Sequence, residues 1–136
     1  MKQKYTTQIT IGFRDADPAK IMFFGNIFAF AHDAFEKFIT HAGFTWQEYF
    51  TDSEFLIPIR HTEADYLAPL RPGETYDVEV TVEALGITSF KMKYVFKRLG
   101  KIHATTSMVH AVLNKSTKEK IPLPEVFKTR LGPYLE

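Results

Sequence analysis

The chain has 136 residues, of which 45% are apolar and 15% aromatic, and its formal net charge is +1. A chain of this size and composition holds enough apolar material for one compact core, which excludes a disordered protein and predicts a single domain spanning residues 1–136. Its basic residues are scattered among acidic ones, which argues against a nucleic-acid partner.

The first predicted elements are a strand and a long helix. Residues 5–13 have the alternating pattern and the residue types typical of a β-strand, and this run ends at the polar segment "RDADP". Apolar side chains recur at helical spacing over residues 26–42 and cover nearly the whole circumference, which is typical of a buried helix. Asn26 is the predicted N-cap, and Gly43 is the predicted left-handed C-cap.

Four further strands and a short terminal helix follow. The segment "FLIPIRHTEADYLAPL" predicts an edge or bulged strand because it contains Pro58 and Pro69. Residues 76–84 and 89–97 alternate strictly and predict a hairpin, and residues 102–113 suit a strand buried on both faces. This order predicts an α+β fold in which an antiparallel sheet curls around one helix.

Two carboxylates stand immediately before the long helix. Pro18 restricts Asp17 to extended geometry, and an extended Asp15 would place its side chain on the same side as that of Asp17. The unpaired N–H groups at the start of the helix could stabilise an oxyanion, so a nearby carboxylate could act as base or nucleophile on a carbonyl. The alternative is that either aspartate only caps a turn before Pro18.

The segment "DADPAKIMFFGN" resembles the signature Asp-x-Asp-Pro-Ala-Gly-Ile-Val-Phe-Tyr-x-Asn of the 4-hydroxybenzoyl-CoA thioesterase family. The segments "AHDAFEKFI", "FLIPIRHTEADYLAPLRPGETYDVEVTV" and "KIPLPEVF" are similar to the 1,4-dihydroxy-2-naphthoyl-CoA thioesterase branch of that family. The resemblance therefore covers most of the chain. It implies the hot-dog fold, an antiparallel sheet wrapped around one long apolar central helix, and it implies hydrolysis of an acyl-CoA thioester.

The resemblance also implies roles for individual residues. Asp17 corresponds to the catalytic carboxylate, and the backbone N–H groups of Phe24 and Gly25 correspond to the oxyanion hole. Lys20 replaces the usual glycine, which questions the loop conformation because lysine tolerates positive φ poorly. Phe24 replaces the usual tyrosine, so a phenol hydroxyl is lost while the main-chain donor is retained.

Further side chains are candidates for binding the substrate. Ile21, Phe23 and Asn26 would border the acyl pocket, with Met22 beside them. His32 could line this pocket or could be an ordinary hydrogen-bonded core histidine. Ser89 could reach the pocket or only begin a hairpin. Five basic side chains could contact the CoA phosphates: Arg60, His61, Arg71, Lys91 and Lys93. The alternative is that these side chains are simply solvated.

Several classes of function have no support in the sequence. The absence of cysteine excludes disulfides, thiolate metal sites and a cysteine nucleophile, and no histidine pair has metal-binding spacing. No serine-hydrolase, phosphate-loop or dinucleotide motif is present, so we predict neither a metal nor a cofactor. No window is long enough to span a membrane, and we expect a soluble cytoplasmic protein.

We therefore predict an acyl-CoA thioesterase that releases the free acid and CoA. The resemblance implies a homodimer or homotetramer with active sites at the subunit interface, and no nucleic-acid or membrane partner is expected. Two alternatives remain open, namely a non-catalytic acyl-CoA-binding module on the same fold and a dehydratase or hydratase. The identity of the acyl group and the choice between nucleophile and general base also remain open.

Overall fold

The computed structural model describes residues 2–136 and confirms the predicted α+β architecture. Strand β1 is Tyr5–Thr10 and helix α1 is Ile27–His41. The strands that follow are β2 (Phe55–Leu56), β3 (Ile59–Tyr66), β4 (Thr75–Leu85), β5 (Ser89–Arg98), β6 (Lys101–Ala111) and β7 (Leu113–Asn114). Helix α2, Glu125–Leu131, comes near the end of the chain, as predicted.

One antiparallel sheet of five strands forms the body of the fold, in the order β1-β4-β5-β6-β3. Its inner face carries the alternating apolar side chains of β4 and β5, which pack on α1. Buried side chains of the helix include Ile27, Ala31, Phe35 and Phe38. The sheet therefore wraps around α1 as expected.

Strand β3 is an edge strand with a bulge, which confirms the prediction made from Pro58 and Pro69. Its pairing with β6 shifts register between Ile59 and His61, so Arg60 is the extra residue. Seven of its eight residues are exposed. Neither the outer edge of this strand nor either of its faces is well covered by residues 2–136.

Three boundaries or patterns differ from the predictions. Strand β1 ends at Thr10 rather than residue 13, because the chain turns into a 3-10 turn over Phe13–Asp15. Ala84 is exposed because a register shift between Val82 and Ala84 breaks the alternation of β4. Strand β6 alternates between buried and half-buried residues instead of being buried on both faces, since only one face meets the helix.

The ends and the outer face of α1 also need correction. Asn26 does not cap the helix, because its backbone is already helical and its side chain makes no capping hydrogen bond. A 3-10 turn, Phe24–Asn26, leads into α1 instead. The helix keeps an exposed polar stripe that contains Asp33, Lys37 and Thr40. Gly43 does end the helix with a positive φ of 113°.

Candidate active site

The Asp17 loop, defined here as residues 15–26, is closed by hydrogen bonds across its base. The carbonyl of Asp15 accepts the Phe23 N–H at 2.7 Å and the Asn26 side-chain amide at 2.9 Å. Farther out, the Asp17 N–H donates to the Ile21 carbonyl at 3.0 Å. Asn26 therefore pins this loop to the start of the helix, which is the role its side chain has in place of capping.

Asp17 lies at the tip of this loop and is half-buried as a residue. Its Oδ1 atom accepts the Ala19 N–H at 2.8 Å, which is an Asx turn, while Oδ2 has no hydrogen-bond partner within residues 2–136. The turn-capping alternative is thus realised, and it leaves one oxygen free. Asp15 does not share a face with Asp17, because it ends a 3-10 turn and its carboxylate accepts the Gly12 N–H at 2.8 Å.

Lys20 completes the turn with a left-handed backbone. Its φ is +64°, and its N–H donates to the Asp17 carbonyl at 2.9 Å. The left-handed region is the conformation that glycine adopts most easily. The lysine thus keeps a geometry that glycine would adopt without strain, and its side chain stays exposed.

The backbone N–H groups of Phe24 and Gly25 are unpaired donors. Neither donates to an acceptor among residues 2–136, as expected for the first residues of a helical turn. The Phe23 ring lies over Gly25, since a Cβ added there would stand 3.0 Å from Phe23 Cε2. Glycine at position 25 therefore lets the Phe23 ring pack closely against the backbone of this turn.

An apolar groove of about 330 Å³ opens beside the Asp17 loop. Ile21, Met22 and Phe24 form one wall, and the chain from Tyr66 to Leu70 forms the other. The Tyr66 hydroxyl donates to the Phe24 carbonyl, and the Met22 N–H donates to the Leu70 carbonyl at 2.7 Å. Asp17 and Phe23 are not among the residues that line this groove.

The remaining predicted site residues lie elsewhere in the chain. Arg60 is exposed at the bulge of β3, and Ser89 begins β5 opposite Ala111. His32 lines a second groove together with His110, and its Nδ1 is 2.8 Å from Glu36 Oε2. Six candidates lie on the Asp17 loop, namely Asp17, Ile21, Phe23, Phe24, Gly25 and Asn26. His32, Arg60 and Ser89 lie on other elements.

The candidate phosphate contacts differ in their availability. Lys91 Nζ is 2.7 Å from Glu83 and 3.3 Å from Glu63, and the hydrogen bond to Glu83, followed by that to Glu63, raises the pKa of Lys91. Lys93 Nζ is 3.9 Å from a Glu136 carboxylate oxygen. Both lysines therefore have carboxylate neighbours already, whereas Arg60 forms no ion pair within residues 2–136.

Sequence reasoning overlooked three side chains that shape these grooves: Tyr66, Tyr49 and His110. A tyrosine hydroxyl aimed at a backbone carbonyl 42 residues away leaves no local signal in the sequence. Across residues 2–136 no helix is long and apolar enough to cross a membrane, and no cluster of three potential metal ligands is found.

Comparison with known proteins identifies the family. Residues 11–131 match the family described as the Thioesterase-like superfamily. The 1,4-dihydroxy-2-naphthoyl-CoA hydrolase of Synechococcus elongatus is 31% identical over 133 residues, which are 97% of this chain and 95% of that protein. The protein of the same name from Crocosphaera subtropica is 32% identical over 84% of this chain and 85% of its own length.

The fold comparison agrees with the sequence comparison. The crystal structure of a 1,4-dihydroxy-2-naphthoyl-CoA thioesterase from Synechocystis superposes with a TM-score of 0.86 at 20% identity, covering 96% of each chain. At this identity the likeness concerns the fold alone, and that fold is the hot-dog arrangement predicted from the resemblance. On the family match and the relatives together, the chain belongs to the thioesterase-like superfamily.

Proposed function

We propose that this thioester hydrolase cleaves an aromatic acyl-CoA, with Asp17 as the catalytic carboxylate and the N–H groups of Phe24 and Gly25 as the oxyanion hole. Acyl-CoA thioesterase activity is supported by the hydrolases to which the chain is related. We predict the residue roles, the aromatic acyl group, the single domain over residues 1–136 and a cytoplasmic location. Placement in the 4-hydroxybenzoyl-CoA family and its dihydroxynaphthoyl branch is also a proposal.

The observation that carries the proposal is the closed Asp17 loop. Hydrogen bonds from Phe23 and Asn26 to the Asp15 carbonyl hold the carboxylate turn and the two free N–H groups in one short segment. Donors that are fixed before the reaction stabilise developing negative charge without reorganisation. A carboxylate oxygen without a partner, Oδ2 of Asp17, is available for proton removal or attack.

The chemistry follows from these groups. Asp17 either attacks the thioester carbonyl to form a mixed anhydride that water hydrolyses, or removes a proton from the water that attacks it. In both routes negative charge develops on the carbonyl oxygen, next to the Phe24 and Gly25 N–H groups, and CoA leaves as the thiolate. Single-turnover hydrolysis in ¹⁸O-water tests the anhydride route, because attack of water on the Asp17 carbonyl of the anhydride leaves label in Asp17, which the general-base route cannot do.

The alternatives receive less support. The alternative of a non-catalytic acyl-CoA-binding module depended on the departures from the family signature at Lys20 and Phe24. However, Lys20 retains the left-handed turn and Phe24 retains its main-chain donor. A dehydratase would pair the carboxylate with a histidine, and no histidine hydrogen bonds to Asp17 within residues 2–136.

We propose further that the enzyme is at least a homodimer, paired through the exposed edge of β3, with active sites at the subunit interface. An exposed edge strand presents unpaired N–H and C=O groups that a second strand can satisfy. A two-fold axis would run the two β3 strands antiparallel, so the Tyr66 end of one would meet the Ile59 end of the other. A homotetramer could be built from two such dimers.

The test is thiol release from a panel of aromatic and aliphatic acyl-CoAs, with Asp17→Asn as the diagnostic variant. We expect turnover of aromatic substrates and a loss of about a thousandfold in Asp17→Asn. Asp77→Asn, on the outer face of β4, is the matched control and should retain full activity. Absence of turnover on every acyl-CoA, or an Asp17→Asn enzyme as active as its parent, would refute the proposal.

A further inference from the structure

Strand β1 is an edge of the sheet without the usual protection against pairing with another chain. Edge strands are normally protected by charged residues, prolines or bulges. The segment "YTTQIT" of β1 contains no charged residue, proline or glycine, and its pairing with β4 has no register shift. The opposite edge, β3, has a bulge at Arg60 and lies between Pro58 and Pro69. Strand β1 is therefore the less protected of the two edges.

The free edge of β1 presents the backbone groups of Thr6, Gln8 and Thr10. The Ile11 N–H donates to the Glu74 carbonyl at 3.1 Å, so Ile11 faces the β4 side. In an antiparallel pair, alternate residues direct both of their backbone groups at the partner strand. Every second residue before Ile11 therefore also faces β4, and Thr6, Gln8 and Thr10 face away. None of these three forms a backbone hydrogen bond to a residue outside the sheet within residues 2–136.

A groove of about 480 Å³, here called the β1 groove, lies beside this edge. The strand contributes residues 8–10, and the helix contributes Phe30, Asp33 and Lys37 from its exposed side. Trp46, the single tryptophan of the chain, also lines the groove and is 48% exposed. An open edge strand beside a groove is the arrangement in which an extended peptide joins a sheet while its side chains contact the groove.

The helix wall of the β1 groove offers one free charge of each sign. Asp33 and Lys37 are exposed, and neither forms an ion pair with another described residue. The third charged side chain of this wall, Glu36, already has a partner in His32 at 2.8 Å. Asp33 and Lys37 are about 6 Å apart along the helix axis. Side chains on one face of an extended peptide recur about every 7 Å, so a basic and an acidic residue two positions apart would match both charges.

We infer that the β1 groove binds an extended segment of another protein as a sixth strand, with a basic and an acidic side chain two residues apart facing α1. The β1 strand of a second copy suits the groove less well, because its inward side chains already pack within their own subunit. Ile9 is 8% exposed, and the Tyr5 ring lies 6.2 Å from that of Phe38. In the β3-paired dimer proposed above, both β1 edges stay open. This binding does not depend on the catalytic assignment.

The test is titration with the peptide acetyl-Thr-Val-Thr-Lys-Thr-Glu-Thr-Val-Thr-amide, in which valine, lysine and glutamate share one face. Calorimetric titration measures the affinity, and the fluorescence of Trp46 locates the site. We expect saturable binding with a Kd on the order of 100 μM and a shift of the Trp46 emission. Two further forms are N-methylated at one or the other alternate set of residues. The form methylated on the edge that meets β1 should lose binding, and the other should retain it.

Two variants test the residues of the groove. Gln8→Pro removes an N–H that points away from β4, so the ladder is kept while peptide affinity should fall on the order of tenfold. Asp33→Lys should lose affinity for the peptide and gain it for the form with glutamate in place of lysine, a gain that misfolding cannot produce. Glu119→Gln, an exposed carboxylate outside the groove, is the control and should bind as the parent does.

Three results would overturn the inference: no saturable binding by the parent, an unchanged Trp46 emission on binding, or equal affinities of the two N-methylated forms. Sedimentation of the parent and Gln8→Pro without peptide tests the other occupant. Parental oligomers that dissociate in Gln8→Pro would show that a second copy covers the edge, which also overturns it. Thiol release by Gln8→Pro should match the parent, so the loss of peptide binding is distinguished from a loss of catalysis.

Discussion

The Tyr66 hydroxyl donates a hydrogen bond to the Phe24 carbonyl, which connects the end of edge strand β3 to the turn that carries the proposed oxyanion donors. The strand proposed to form the dimer therefore also holds the loop proposed to be catalytic. Loss of this contact would loosen the turn without removing either N–H donor.

We accordingly expect Tyr66→Phe to lower kcat on the order of tenfold with a smaller change in KM, because precise placement of donors matters most in the transition state. Steady-state kinetics on the best aromatic acyl-CoA measures the effect. Tyr5→Phe, on the opposite edge strand, should behave as the parent. Equal kinetics of Tyr66→Phe and parent would show that the contact does not position the turn.

Gly25→Ala should impair catalysis through a steric effect on Phe23. The added Cβ would stand 3.0 Å from Phe23 Cε2, so either the ring or the turn that carries the two N–H groups must shift. We expect kcat/KM to fall about tenfold or more. Gly132→Ala is the matched control, because a Cβ there meets nothing within 4 Å. The double variant Phe23→Ala/Gly25→Ala should recover part of the loss, and a double variant no better than Gly25→Ala would contradict this explanation.

The stability of the protein should depend on pH through His110. Its pKa is lowered to about 3 in the folded state from 6.5, so between these values the unfolded chain binds the proton and the folded chain does not. The stability is therefore complete above pH 6.5 and is lost as the pH falls, by about 2 kcal/mol at pH 5.

Urea unfolding at pH 7.5 and pH 5 measures this difference. In His110→Phe the contribution should disappear, whereas Tyr49→Phe, which alters the same groove but keeps the imidazole, should retain it. His110→Phe should also be at least as stable as the parent at pH 7.5, since it removes an unpaired buried nitrogen. An unchanged pH dependence in His110→Phe would show that another group is responsible.

The left-handed conformation of Lys20 predicts different stabilities for two substitutions at this position. Lys20→Gly adopts φ near +64° without strain and should stay within about 1 kcal/mol of the parent. Lys20→Val places a β-branched side chain in the same conformation and should cost about 1 to 2 kcal/mol, with a loss of activity as the Asp17 turn rearranges. Chemical denaturation and thiol release measure both effects. A valine variant as stable as the glycine variant would contradict the geometry.

Mixed dimers test whether one active site is built from two subunits. Asp17→Asn lacks the carboxylate. Ile57→Trp would fill the second groove, which lies at the Ile59 end of β3 and would adjoin the Asp17 loop of the partner subunit in the proposed dimer. Each variant alone should therefore be inactive. Random co-assembly gives half heterodimers, each with one intact site, and should restore about a quarter of the parental activity. Differently tagged subunits allow the heterodimer to be purified and assayed. An inactive heterodimer would show that both parts of each site come from one chain.

Patterns in the sequence determine the main elements of the fold. The alternation of side chains determines β4 and β5, the spacing of apolar residues determines α1, and the flanking prolines determine the edge position of β3. These features are local, because side-chain period and backbone restriction depend on near neighbours in the chain. The candidate loop was also predictable, since the resemblance of residues 15–26 covers the whole closed segment. The sequence predicts Asn26 as an N-cap, whereas its amide donates to the Asp15 carbonyl, because the same amide can cap a helix or bond a loop carbonyl.

Only the tertiary structure decided where the candidate residues outside the Asp17 loop lie. Asp17, Phe24 and Gly25 share one loop, whereas His32, Arg60 and Ser89 are distributed along the fold away from it. The packing of the sheet on α1 buries His110 Nε2 and the Tyr49 hydroxyl without a hydrogen-bond partner among residues 2–136, and Tyr66 reaches Phe24 across 42 residues. Such contacts depend on strand order and register, which arise from packing of the whole chain and not from the spacing of residues in any one segment.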